Sequence, residues 1–145
     1  MSSALIKRLV SSNAGLAPLA LRVPVGIIFM AHGAQKLFGW FGGRGLEATG
    51  KLMASLGLEP GVLMAGLAGG AEFFGGLALV LGLLVRPAAA ALGVTMLVAI
   101  FGVHFSNGLF ISKNGYEFAL ALLAASVSLL ISGAGRLALD RYLDR

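Results

Sequence analysis

The sequence is defined first by what it lacks. It has no cysteine, two histidines, one tryptophan and four prolines in 145 residues. Only 12% of its residues are charged, where a soluble domain carries about 25%. Without cysteine the chain itself runs no thiolate, dithiol or iron–sulfur chemistry and builds no disulfide scaffold. The scarcity of charge excludes a disordered chain, whose solubility depends on charge. Acidic residues are fewest: 6 against 11 basic ones, for a net charge of +5. No basic stripe with interleaved aromatics accompanies that surplus, so nucleic acid is not an expected partner. The surplus fits topology determinants and anionic lipid instead.

What is abundant is apolar. Hydrophobic residues make up 58% of the chain, with a mean hydropathy of +0.93. Glycine contributes 22 residues, about twice the usual share of ~7%. A bilayer-spanning helix takes about 20 mostly apolar residues, so this length holds four spans and little else. The apolar stretches fall at about 17–40, 61–85, 87–105 and 116–132. The class expected is all-α: a single membrane domain, a four-helix transmembrane bundle. Arg22 and Pro24 interrupt the first stretch and no A-x-A site follows, which favours a retained helix over a cleaved signal peptide. Pro24 is expected in a first helical turn, and Arg86-Pro87 is expected to form the turn between spans two and three.

Residues 41–60 differ from the rest. Leu46, Thr49, Leu52, Met53 and Leu56 share one face at helical spacing, beside Arg44, Glu47 and Lys51. The spacing predicts a short amphipathic helix at the membrane surface, in the first outer loop. Lys7, Arg8, Arg22, Arg86, Arg136, Arg141 and Arg145 fall at one end of the bundle. Lys36, Arg44, Lys51 and Lys113 fall at the other. The positive-inside rule then puts both termini in the cytoplasm of a bacterial-type plasma (inner) membrane.

Ionisable groups at membrane depth are costly and face a bundle interior or a wet cavity. His32, Glu72, His104 and Glu117 each lie on a different span, in the outer half. Lys36 is one turn from His32 on the same face. Ala68, Gly69, Gly75 and Gly76 flank Glu72 at helical spacing, a small face that admits a close neighbour. Gly66-x-x-x-Gly70 has the same character and fits a contact within the bundle or between protomers of a homo-oligomer. Arg22 and Arg86 are read as topology determinants, and Phe38, Trp40 and Phe41 as an interfacial aromatic belt.

The polar cluster admits several chemistries. His32, Glu72 and His104 form a proton-transfer set. His32, Lys36, Glu72, His104 and Glu117 would bind a cofactor. A quinone pocket needs donors for two carbonyls and a proton path, and ranks first. His and Glu also suit a metal, and two histidines suit haem, though no metal is specified. Beside an oxidoreductase subunit stand two other readings: a small-solute or proton transporter, and an assembly subunit in which the cluster is a structural clamp. Polar groups confined to one leaflet, with no continuous track beyond Arg22 and Arg86, weigh against transport.

The segments LRVPVGIIFMAHGAQKLFGWFGG, GGAEFFGGLALVLGLLVRPAA, MLVAIFGVHFSNGLF and NGYEFALALLAASVSLLISGAGRLALD resemble the DoxX family of small four-helix membrane proteins. The resemblance runs from about Arg22 to Asp140 and places the family's polar motif at His32, Lys36, Glu72, Arg86, His104 and Glu117. It implies a membrane subunit associated with a quinone-linked oxidoreductase rather than a stand-alone enzyme. Any sulfur chemistry would then require a partner's sulfur.

Overall fold

A computed structural model describes residues 3–145. Among them the fold is all-helical, with no strand. The α-helices are α1 (Ser3–Val10), α2 (Ala17–Phe38), α3 (Gly45–Ser55), α4 (Gly61–Leu81), α5 (Val85–Ala99), α6 (Glu117–Ser132) and α7 (Asp140–Leu143). A π turn over Ile100–His104 and a 3-10 turn over Phe105–Asn107 continue α5. Three segments are long and apolar enough to cross a membrane: Ala17–Phe38, Gly61–Leu81 and Val85–Asn107. The fourth apolar helix, α6, has 16 residues, a rise of about 24 Å, short of the ~30 Å hydrocarbon core. Large apolar side chains crowd the outer surface, among them Ile27, Leu67, Phe74, Val94, Phe101 and Ile131. Water would make such a surface an aggregation hazard; lipid makes it a solvent-matched exterior.

The helices alternate in direction. One end of the molecule, here the terminal end, gathers α1, the α4–α5 turn and residues 133–145. The other, the loop end, carries α3 and the 105–116 segment. Between them Phe29, Leu79, Leu92 and Leu129 are fully buried. The tightest packing is the antiparallel α2–α4 pair. A Cβ on Gly26 would lie 2.7 Å from the Gly76 carbonyl, and one on Gly33 would run into Gly69 and Phe73 backbone. Gly26 and Gly33 are seven apart, as are Gly69 and Gly76, so each pair repeats on one helix face. The small face expected around Glu72 is thus used. Gly69 and Gly76 meet α2, and Gly75 meets Leu92 of α5. Gly66-x-x-x-Gly70 is not a seam within the chain. Gly66 approaches only Leu46, at 3.9 Å, and Gly70 faces open space.

Two proline expectations are corrected. Pro24 lies inside α2, because Pro18 already occupies the first turn. Arg86-Pro87 is helical, and the chain reverses earlier, at Gly82–Leu84. Gly82 (φ +69°) and Leu84 (φ +48°) adopt left-handed backbone there. Pro87 then sits in the first turn of α5, where its missing N–H leaves no bond unmade.

Arg22 and Arg86 bind backbone carbonyls at the terminal end. Arg22 is 1% exposed and donates to the carbonyls of Ala134 (2.6 Å) and Leu137 (2.9 Å). Arg86 donates to Leu130 and Ile131, the open carbonyls of the last α6 turn, and to Ser11. Both guanidiniums satisfy backbone acceptors that a helix end and a loop leave orphaned in an apolar setting. Asp140 completes the clamp by accepting from Leu84 N (2.6 Å) and Val85 N (3.0 Å), which caps α5. Its buried carboxyl is pushed above the ordinary range by desolvation, against the opposing pull of those two N–H groups, Arg22 and Arg86.

Candidate functional site

The α2–α4 seam fixes what lies at the loop end. With glycines on both helices the backbones approach closely, and Lys36 on α2 reaches across to Glu72 on α4. Nζ donates to Glu72 Oε2 at 2.8 Å. The Glu72 residue is 3% exposed, while the Lys36 side chain retains 25% exposure. A carboxylate buried at the middle of an apolar helix requires such a partner. Glu72 Oε1 takes no hydrogen bond from the described residues.

The pair stands on the wall of a cleft of about 1170 Å³ between α3, α4 and α5. The amphipathic α3 forms one side through Thr49, Leu52 and Met53, as its sequence face anticipates. Ala68 and Ala71 of α4 and Val94 and Val98 of α5 form the apolar walls. His104, His104's neighbour Val103, and Asn107 and Asn114 close the loop end.

The π turn of residues 100–104 matters to that end. It inserts a wider turn after Ala99 and sets the angle at which His104 leaves the helix; such turns recur at functional sites. His104 Nδ1 lies 2.9 Å from the Asn114 carbonyl. Asn107 Nδ2 donates to the same carbonyl at 3.0 Å. Asn114 adopts left-handed backbone (φ +57°), which suits asparagine and turns its carbonyl inward.

Of the residues singled out by sequence, Lys36, Glu72 and His104 therefore share one cleft. His32 and Glu117 do not line it. His32 is half-buried beside Phe118 of α6, with ring centroids 5.7 Å apart. It remains within electrostatic reach of Lys36 and Glu72. Glu117 opens α6, its backbone N–H donating to Leu109, and helps tie down the loop that carries Asn114. The Phe38 and Trp40 rings lie 4.8 Å apart at a tilt of 40°, and Trp40 and Phe41 meet edge to face, all on the exposed rim. Among the described residues no three His, Asp or Glu side chains gather in a metal-holding group. Thr49, Asn107 and Asn114 were not anticipated. Thr49 lies on the predicted face of α3 and Asn107 is three residues beyond His104, but nothing in sequence ties Asn114 to His104.

Comparison with known proteins agrees with this architecture. Residues 17–105 match the DoxX family, a stretch that includes α2 to α5 and the cleft residues Lys36, Glu72 and His104. The chain is 32% identical to a Bacillus subtilis protein named Putative oxidoreductase CatD, over 86% of this chain and 84% of that protein. Two uncharacterized proteins of Haemophilus influenzae are also similar. One is 35% identical over 83% of this chain and 85% of its own length, the other 28% over 92% and 87%. No solved structure matches. The family match and the extent of these relationships agree with the apolar helices: this chain is a membrane protein and belongs to the DoxX family.

Proposed function

We propose that this chain is a four-helix subunit of a membrane oxidoreductase system, in which the α3–α4–α5 cleft holds a quinone-type amphiphile. The observation that carries the reading is the Lys36–Glu72 pair on the wall of a largely apolar cleft whose loop end is polar. Such a site suits a ligand with a polar ring and an apolar tail. A bound quinone would supply two-electron, two-proton redox chemistry. The residues' own part is to hold and orient the ring. Lys36 donates to a ring oxygen while Glu72 keeps the ammonium in place. His104 and Glu72 Oε1 accept protons or hydrogen bonds. His32, behind the pair, adds a titratable group from the second wall of the bundle, and Glu117 supports the loop. The name of the Bacillus subtilis relative, Putative oxidoreductase CatD, points the same way.

In this reading α2, α4, α5 and α6 all cross a bacterial plasma membrane as a single domain, with both termini cytoplasmic and the cleft in the outer half. Fully buried Phe29, Leu79, Leu92 and Leu129 place an apolar layer between the cleft and the terminal-end clamp, which favours a one-sided binding site over a transport path. The test is direct. Detergent-purified protein is expected to carry quinone in its extracted lipids and to gain thermal stability with a short-chain quinone, an effect lost in Glu72→Gln. Protein without quinone whose stability does not respond to quinones would sink the reading.

A further inference from the structure

At the terminal end the chain fixes in place a helix too short to hold itself together. The four-residue α7 is well below the length at which a helix persists alone. Leu139 N donates to the Leu81 carbonyl at 3.3 Å, and Asp140 N to the Gly82 carbonyl at 2.9 Å. The buried Asp140 side chain accepts from Leu84 N and Val85 N. These bonds seat α7 on the α4–α5 turn, beside the last residue of α4, a helix long and apolar enough to cross a membrane. None of them uses the side chains that α7 and its C-terminal flank carry beyond Asp140.

Those side chains border a hollow of about 520 Å³. Leu81, Leu137 and Leu139 form its apolar side, and Arg141, Tyr142 and Arg145 its polar side. The Arg145 guanidinium lies over the Tyr142 ring, 5.4 Å from its centroid, which holds the charge beside the phenol. Neither arginine pairs with a carboxylate among the described residues. Asp140 and Asp144 are the acidic residues of this end, and the first is already engaged by two N–H groups. Lys7, Arg8 and Arg136 add positive charge around it. Leu137 is 73% exposed and adopts left-handed backbone (φ +54°), a conformation that is costly for leucine and free for glycine. Its carbonyl accepts from Arg22, which a glycine carbonyl would do equally well. What leucine adds is an apolar side chain held outward at the edge of the hollow.

An anion attached to an apolar chain matches both sides of this hollow. Guanidiniums take phosphate oxygens through paired N–H groups, and the three leucines suit hydrocarbon, which a free phosphate lacks. We propose that the hollow is a binding site for an anionic phospholipid, with Arg141 and Arg145 on the headgroup phosphate and Leu81, Leu137 and Leu139 against the start of an acyl chain. The site is separate from the α3–α4–α5 cleft and does not depend on what that cleft binds.

Native mass spectrometry of the full chain released from detergent, titrated with phosphatidylglycerol or phosphatidylcholine, tests the proposal. One saturable phosphatidylglycerol adduct is expected, bound about tenfold or more tighter than phosphatidylcholine. Arg141→Gln with Arg145→Gln should weaken it by about tenfold or more, whereas Lys7→Gln with Arg8→Gln, the same loss of charge at the same end but outside the hollow, should weaken it by less than about threefold. Leu137→Gly, which suits the left-handed backbone, should keep the thermal stability of the protein in detergent and still weaken phosphatidylglycerol binding. Equal affinity for the two lipids, equal weakening by the two double variants, or wild-type binding by Leu137→Gly would each overturn the site.

Discussion

Replacing Gly76 by alanine should separate α2 from α4. The added Cβ would lie 2.6 Å from the Gly26 carbonyl and 2.7 Å from Met30 N, where ordinary contact begins at 3.4 Å. Both neighbours are backbone, so no side chain can swing aside. The helices must part by about 0.8 Å locally, and a gap of that size forfeits a quarter to a half of each dispersion contact it opens. With on the order of forty atom contacts along the seam at ~0.1–0.2 kcal/mol each, the loss is about 1–4 kcal/mol. Overpacked cores typically lose 1–3 kcal/mol, which agrees. Gly70→Ala is the internal control: the same helix and the same chemical change, but nothing within 4 Å of the new atom. It should be neutral or gain up to ~1 kcal/mol from helix propensity. Thermal unfolding of both variants in one detergent reads the contrast. Equal behaviour would refute the seam. Strong destabilisation by Gly70→Ala would move the close contact to an interface between copies of the chain.

The Lys36–Glu72 pair predicts a non-additive cycle. At 2.8 Å the attraction is ~6 kcal/mol before desolvation at an effective dielectric constant of about 20. Lys36→Met or Glu72→Gln alone should cost ~2–4 kcal/mol, somewhat less than a fully buried pair because Lys36 is partly exposed. The double variant should return to within ~1 kcal/mol of wild type by chemical denaturation yet fail to bind quinone; additive losses would show that the pair is not coupled. Asp140 predicts a pH dependence. Burial raises its folded pKa, so the folded state binds the proton more tightly than the unfolded chain. Its contribution to stability is therefore largest below the unfolded value of about 3.9 and falls as pH rises through the folded value. The difference in unfolding free energy between wild type and Asp140→Leu should drift against wild type as pH rises through this window. A pH-independent difference would contradict the buried carboxyl.

Apolar runs, the amphipathic face of residues 41–60 and the costly intramembrane Glu72 were legible in sequence because each depends on local spacing or on the price of burying charge. The helix ends were less so. Pro24 reads as a first-turn residue until the structure shows Pro18 in that place. Arg86-Pro87 reads as a turn until Asp140, more than fifty residues away, is seen to cap α5. Nothing near Arg22 and Arg86 in sequence offers a partner; their acceptors are carbonyls of residues 8, 9, 11, 130, 131, 134 and 137. At the site, Glu72 and Lys36 were identified separately, but their pairing depends on the glycine register of α2 against α4. His104's partner is a backbone carbonyl, which no side-chain motif can announce. The sequence grouping of His32 and Glu117 with the cleft residues followed from depth alone; helix rotation decides which of them faces the cleft.

In the proposed function an amphiphile's ring occupies the α3–α4–α5 cleft beside Lys36, Glu72 and His104. Photolabelling with a short-chain azidoquinone, followed by peptide mapping, tests it most directly. Saturable labelling is expected only within residues 35–58, 64–72 and 91–114, which contain the cleft walls, and is expected to be lost in Glu72→Gln. Labelling spread over the exposed face of α6 around Val127 and Ile131, unchanged by Glu72→Gln, would contradict it.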